Sequence, residues 1–348
     1  MMKKWMADMR VDRSGNVPQI ARRAARYAGL YSLAATAALF VLMASNAMSQ
    51  EPTLPPLIRI VVPFPPGGSN DIAARQVAKQ LASRTGKNVI VENRAGASGF
   101  IGASVVARSP KDGSVLLLTS SSTVSAAATK NNVTVDFLKD LMPVSILSES
   151  PLMIVVSSES KIQTPGDLIA AARAKPDTLT NGTPGNGTIG HLTSELLNDA
   201  AGIQIKHIPY TGGGPAMVDL LANRIDINIV SNSAAAGYVT QGKLRSVAIT
   251  AAKPSSDFPG VPTVASVVPG FEVVQWQGVW APAGTPDAIV DRLNRELNQI
   301  VKTPEFAVLL HEDGGIPQSL TPAQAAIKVR DSYEMWRKLV KARNLIVD

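Results

Sequence analysis

Between residues 51 and 348, short apolar runs alternate with segments whose apolar residues recur at helical spacing. The runs at 58–62, 88–91, 115–119, 152–156, 205–208, 225–230 and 246–250 are rich in Val, Ile and Leu. The first, 58–62, carries no alternation gap, which predicts a strand covered on both faces. Helices are predicted between them. The first runs over 71–85, where Ala73, Val77 and Leu81 make the buried stripe and Gly86 ends it. Another ends near Arg108, one lies between Thr164 and Pro176, and others open at His191, at Pro215 and before Tyr238. This alternation predicts a mostly parallel sheet. A second lobe starts near Pro151. The Pro-rich passage 254–269 reads as a crossing, and 273–281 as extended chain. Three amphipathic helices at 286–302, 305–311 and 321–343 are expected to pack on the outside of the first lobe. No internal repeat of fixed period is present.

The sharpest local signal lies at 58–75. Ile58, Ile60, Val61 and Val62 form a strand, Pro63, Pro65 and Pro66 stop it, and a helix opens at Ser69 or Asn70. Asp71 suits the positive first turn of that helix. Strand, Gly-rich loop and helix N-terminus together make a cradle for an anion, because free N–H groups and the dipole point into the loop. The same residues also suit a plain turn with no ligand. Three further junctions of this kind occur, at 92–102, 179–191 and 209–216. Ser120, Ser121, Ser122 and Thr123 put four hydroxyls at the C-terminal end of a strand. In open α/β sheets ligands sit at that edge, and a solvated turn is the other reading.

Charge changes this picture little once its location is noted. The chain has 348 residues, no cysteine and a net charge of +7. Lys3, Lys4, Arg10, Arg13, Arg22, Arg23 and Arg26 form a basic lead, followed by an apolar run at 28–44 and by Ser45-Asn46-Ala47. That is the pattern of a secretory signal peptide over 1–47, cut after Ala47. An uncleaved anchor helix is the alternative, although the run falls short of the roughly 20 residues a span needs. The remainder is nearly neutral, with 27 basic against 25 acidic residues. It has no basic cluster interleaved with aromatics, so nucleic acid is not an expected partner. An exported chain without cysteine must rely on core burial, and about 300 residues suffice for two α/β lobes.

Gly185-Asn-Gly187-Thr-Ile-Gly190 fits the dinucleotide pattern G-x-G-x-x-G. That reading needs an acidic residue about 20 positions on, where this chain has His207-Ile-Pro-Tyr210. His191, His207 and His311 lack metal-ligand spacing, and there is no nucleophile elbow or P-loop. What repeats is a supply of neutral donors at the loops: Ser69, Asn70, Ser98, Thr183, Asn186, Thr188 and Thr211. Such a set suits a small carboxylate held between two lobes by backbone N–H groups. It points to a binding protein rather than an enzyme, with no cofactor and no metal.

Val62-Pro-Phe-Pro-Pro-Gly-Gly-Ser-Asn-Asp71 resembles the VPFPPGG-x-x-D motif of the tripartite tricarboxylate transporter receptors, the Bug (TctC-like) family. Val91-Glu-Asn-Arg-Ala-Gly-Ala-Ser-Gly-Phe-Ile-Gly102 is similar to the family's VENR-x-GA-x-G-x-x-G. Further likenesses follow in order across 57–348: Pro184-Gly-Asn-Gly-Thr188 with His191-Leu192, Pro209-Tyr-Thr-Gly-Gly-Gly-Pro-Ala216, Val261-Pro-Thr-Val264, and Trp276-Gln-Gly278 through Pro286. Ala222-Asn223-Arg224 and Ser231-Asn232-Ser233 depart from the family's usual wording. The resemblance implies an α/β, two-lobed periplasmic binding protein fold of type II-like form, with a hinge and a cleft. Residues 51–150 plus 253–348 would form lobe 1 and 151–252 lobe 2. It implies a monomeric periplasmic receptor that captures a small carboxylate (a di- or tricarboxylate, an amino acid or an aromatic acid) for membrane transporter subunits. A ligand sensor for a membrane signalling partner, or an exported enzyme using His191 as base, are the alternatives. Carried over by resemblance, Phe64, Gly68, Ser69 and Asp71 with Ala97, Ser98 and Gly99 hold one carboxylate. Ser120 and Ser121 lie beside it, and Asn186, Thr188, His191, Tyr210 and Gly213 close from the other lobe.

Overall fold

The computed structural model describes residues 52–311 and 314–346, so the expected leader and its cleavage site lie outside the described residues. Strand β1 (Leu57–Val62) forms as its β-branched run dictates, with Ile58, Ile60, Val61 and Val62 buried. It pairs in parallel with β2 (Asn88–Asn93) and β3 (Val115–Ser120). Helix α1 (Ser69–Thr85) ends at Gly86, whose φ of 67° gives the left-handed cap. Helix α2 (Phe100–Ala107) returns the chain to β3, which runs straight into α3 (Ser121–Ala128).

Strand β4 (Leu141–Ser157) then carries the chain between the two halves of the sheet. The second half is α4 (Pro165–Ala174), β5 (Thr180–Thr183), α5 (Ile189–Ala201), β6 (Lys206–Pro209), α6 (Gly213–Leu221), β7 (Ile227–Ser231), α7 (Asn232–Thr240) and β8 (Leu244–Ile249). Strand β9 (Val274–Pro282) returns to the first half. It is followed by α8 (Asp287–Ile300), α9 (Pro304–His311), β10 (Ile316–Pro317) and α10 (Pro322–Ala342). Capping boxes start two of these helices: Thr164 with Asp167 for α4, and Thr321 with Gln324 for α10. Among the described residues, no helix is long and apolar enough to cross a membrane.

The strand order is β2-β1-β3-β9-β4-β7-β5-β6, with β8 and β10 also on β4. Each half is parallel where helices make the crossovers, β1 with β2 and β3, and β5 with β6 and β7. The sheet is less parallel than the sequence predicts. β4 leads from the first half into the second and β9 leads back, neither linked to its sheet neighbour by a parallel crossover, and both run antiparallel to their neighbours. β4 changes partners partway: up to Pro151 it pairs with β9, and from Leu152 with β7 and β8.

Each half has helices on both faces. Ala73, Val77 and Leu81 of α1 meet Leu293, Leu297 and Phe306 of α8 and α9 on one face of the first half. Val124, Trp276, Trp280, Ala325 and Val329 cover the other. In the second half, α4 and α5 pack on one face and α6 and α7 on the opposite one. Helices α8 and α9 pack on the first half as expected, but α10 does not stop there. Its later residues Trp336, Leu339 and Val340 join Leu192 and Leu168 in the core of the second half. A helix of 21 residues is about 30 Å long, enough to lie along both.

Candidate functional site

The loops singled out by sequence gather at the C-terminal ends of the parallel strands. In the first loop, Phe64 is half-buried, Gly68 is exposed, and Ser69 begins α1. Asp71 is turned inward and buried. Its Oδ2 accepts from the Gly67 N–H and from Arg75 Nε, both at 2.9 Å, and its Oδ1 accepts from Asn93 Nδ2 at 2.9 Å. Burial opposes the charge on Asp71, but the bonds from Arg75, Gly67 and Asn93 outweigh it and hold the carboxyl below its ordinary value. Asn93 also donates to the Phe64 carbonyl. Asp71 therefore fixes the shape of the loop from behind, and its lone pairs are occupied by the protein.

The second loop is a left-handed run. Gly96, Ala97, Ser98 and Gly99 have φ of 130°, 48°, 54° and 96°. Two of these residues carry a Cβ, and such strain clusters at functional sites. Successive amides of such a run point to one side and make an anion-binding concavity. Ala97 and Ser98 are exposed, whereas Gly99 is buried against Thr123 of α3. At the end of β3, Ser120 accepts from Asn70 Nδ2 at 3.5 Å, and the Ser121 Oγ accepts from the Trp276 N–H at 3.3 Å. Both serines are buried, and the Asn70 Oδ1 is buried with no partner among the described residues.

In the second half, the loop 184–188 joins β5 to α5. Asn186 is exposed at its tip, and the Thr188 Oγ1 donates to the Gly185 carbonyl at 2.8 Å. Gly187 has φ of 74°, and an added Cβ would stand 2.7 Å from the Thr129 Oγ1 and 3.2 Å from the Ala126 Cα. No other residue fits that approach to α3. The Ser125 Oγ seals it by donating to the Gly187 carbonyl at 3.0 Å. His191 is buried, with Nδ1 accepting from the Gly187 N–H at 3.0 Å. Its ring stacks on His207 at 3.7 Å. Burial, and for His191 also the charge His207 would carry, pushes the pair down to about 3 and about 4 respectively. The Tyr210 hydroxyl donates to Asp219 Oδ2 at 2.8 Å, and Asp219 also takes Arg224 at 2.9 Å. Burial and then Asp219 raise the Tyr210 pKa. Gly213, exposed, begins α6, and an added Cβ would lie 3.9 Å from the Pro184 Cγ.

A small cavity of about 30 Å³ opens between the halves. Ser69 and Ile72 of α1 line one side and Ser233 of α7 another. Ser148 and Ser150 of β4 and Gln277 of β9 form the floor, with Leu309, Leu310 and Gly315 at the edge. Of the residues named from sequence, Ser69 lies on its wall. Ser148, Ser150, Ser233 and Gln277 were missed. Ser148 and Ser150, two apart in β4, share one face, but that signal depends on a strand that the local sequence does not announce. The wall offers hydroxyls, one amide and aliphatic surface, with no charged side chain among the described residues. Among the described residues no cluster of His, Cys, Asp or Glu could hold a metal ion.

A family model described as tripartite tricarboxylate transporter family receptor matches residues 73–345. Protein BugT of Bordetella pertussis is 36% identical over 287 residues, which cover 82% of this chain and 88% of the relative. Among solved structures, R. palustris Rpa4515 with adipate superposes with a TM-score of 0.75 at 31% identity, covering 82% of this chain and 96% of that one. The periplasmic binding protein BugD gives 0.74 at 29% identity, covering 83% and 98%.

Proposed function

The chain belongs to the tripartite tricarboxylate transporter receptor family, and from that premise we propose that it captures one small carboxylate between two lobes in the periplasm and presents it to membrane transporter subunits. The lobes are 51–150 plus 253–348, and 151–252, and they hinge where β4 changes partners at Pro151 and where the chain returns before β9. The exported form begins after Ala47. Rpa4515, solved with adipate, supports a dicarboxylate as the first ligand to try.

One observation carries this reading. The cavity draws its wall from both halves and from both crossing strands, so closing the lobes would enclose whatever it holds. The loop residues proposed to grip the carboxylate are Phe64, Gly68 and Ser69, of which Ser69 lines the cavity, with Ala97, Ser98 and Gly99, beside Ser120 and Ser121. Asn186, Thr188, Tyr210 and Gly213 approach from the other lobe, with Asp71 and His191 shaping their loops. Backbone amides and hydroxyls supply the donors, as they do where anions sit at helix N-termini.

The test is thermal unfolding of the 48–348 protein against small carboxylates, adipate first, with the matched diamide and NAD as controls. A ligand that binds only the folded state raises the midpoint by mass action. A shift with the acid and none with its amide is the expected result. A shift with NAD alone would sink the carboxylate reading and revive the 185–190 loop as a nucleotide site. Ser98→Trp should abolish the acid shift with the unliganded midpoint retained; an undiminished shift would remove the second loop from the site.

A further inference from the structure

We propose that His191 and His207 are positioning residues: stacked on each other, they hold both ends of the 184–187 loop and so set where Asn186 and Thr188 stand, without meeting the ligand themselves. This rests on the proposed role of that loop in the site. The two histidines come from different elements, one turn into α5 and the second residue of β6. Their rings are nearly parallel, 17° apart, with centroids at 3.7 Å.

Each ring holds one end of the loop. The Gly187 N–H donates to His191 Nδ1 at 3.0 Å, which closes the C-terminal end. At the other end, the Thr183 Oγ1 lies 3.1 Å from the Gly185 carbonyl and 2.6 Å from His207 Nε2. A carbonyl only accepts, so the threonine hydroxyl donates to it, and His207 Nε2–H donates to the hydroxyl. Both rings in their neutral form therefore carry the proton on Nε2, and the bond to His191 Nδ1 requires a neutral imidazole. The donor left to His191 is its Nε2–H, which in this buried ring faces Glu195 of its own helix, 4.0 Å away and paired with Arg343.

The surroundings keep the pair neutral. Of the elements packed on α5, helix α3 and strands β5 and β7 contain no titratable side chain. Helix α10 brings Tyr333 to the same core, and its Arg337 is held by the carbonyls of Ala128 and Lys130. β6 adds Lys206, which is exposed. A proton on His191 would remove the lone pair that Gly187 uses, and a proton on each ring would set two cations face to face, so the loop is fixed at neutral pH and is released only in acid.

Two conservative pairs separate positioning from bulk packing. His191→Leu keeps an apolar filler but removes the acceptor; His191→Asn puts an amide oxygen where Nδ1 stood. His207→Leu and His207→Gln make the same contrast at Nε2. The first readout is hydrogen exchange at the Gly187 amide, which needs no ligand. The second is adipate affinity, measured beside Asn186→Ala. In His191→Leu the Gly187 amide should exchange at least about tenfold faster, and adipate affinity should fall about tenfold. His191→Asn should restore both. In the wild type the protection of that amide, taken relative to its intrinsic exchange rate at each pH, should fall as the pH drops toward 3, and that loss should flatten in the His191→Asn, His207→Gln double variant. Unchanged exchange in His191→Leu would overturn the proposal. Faster exchange with intact affinity, while Asn186→Ala binds weakly, would overturn its functional half and leave the site reading standing. If Asn186→Ala also binds normally, the loop is not in the site and both fall.

Discussion

Replacing Asp71 by asparagine tests how the first loop is held. Both carboxylate oxygens accept: Oδ1 from Asn93, and Oδ2 from Gly67 and Arg75. Asparagine has the same shape, but one end is an NH2 group. Turned either way, that group faces a donor, Asn93 in one orientation and Gly67 with Arg75 in the other. Asn93 cannot turn to help without giving up the Phe64 carbonyl. An unbonded buried donor costs about 1–3 kcal/mol, and weakening the charge-assisted bonds adds roughly 1 kcal/mol. Asp71→Asn should therefore lose about 2–4 kcal/mol in urea unfolding at pH 7, with weaker adipate binding. Arg75 is half exposed, so Arg75→Met should cost far less. The sign of the pH dependence follows from the lowered pKa of Asp71. A depressed carboxyl contributes stability above its unfolded pKa of about 3.9 and loses it as pH falls through the folded value. The gap between wild type and Asp71→Asn should shrink below about pH 4. A variant within about 0.5 kcal/mol of wild type at pH 7 would refute the argument.

Two further substitutions probe the second half and the hinge. A Cβ at Gly190 would stand 2.5 Å from the Ile229 carbonyl oxygen of β7, a backbone atom that cannot step aside. Gly190→Ala should cost about 1–3 kcal/mol and lower the Tm by several degrees, whereas Gly214→Ala, with nothing within 4 Å, should not; equal midpoints in differential scanning calorimetry would contradict this. The fully buried Thr250 accepts from the Leu152 N–H at 2.8 Å and donates to the Val273 carbonyl at 2.6 Å. Thr250→Val should lose about 1–3 kcal/mol in urea unfolding and alter adipate affinity, with Thr250→Ser retaining both; a silent Thr250→Val would mean that this bridge does not govern the hinge.

The first loop and its helix were legible because every signal there is local. A β-branched run, three prolines and Gly86 lie within one stretch of sequence, and the strand and helix fall within a residue or two of their expected bounds. Helix α3 was not legible, since Ser121, Ser122 and Thr123 favour turns and caps over helix interiors. What stabilises it comes from elsewhere: α10, the Gly187 approach and the Thr119–Thr123 hydroxyl contact. The first part of β4 was hidden for a similar reason. Pro143 and Pro151 break its pattern, and its partner β9 lies over a hundred residues away in the chain. The cavity floor inherits that difficulty. Ser148 and Ser150 acquire a common role with Gln277 only once the two crossing strands are paired. Sequence likeness marked the loops proposed to form the site, Ser69 of the cavity wall among them, and tertiary pairing assembled the cavity floor.

The fixed charges near these loops are mostly spent on one another. Arg75 is bonded to Asp71, Arg59 and Arg94 to Glu92, Arg224 to Asp219, and Arg343 to Glu195. The two loop supports differ in kind, an ionic network under the first loop and a neutral imidazole stack under the second, yet both lie behind the backbone they hold. The surfaces turned toward the cavity are then left with amides and hydroxyls. An anion held by such dipoles depends on their placement, because each donor is weak alone and several must converge. In the proposed receptor, rigid loops carried on two movable lobes would meet that demand: each lobe would present a fixed fan of donors, and closure would bring the fans to bear on one ligand. Grip and release then become a matter of lobe position rather than of any group gaining or losing charge.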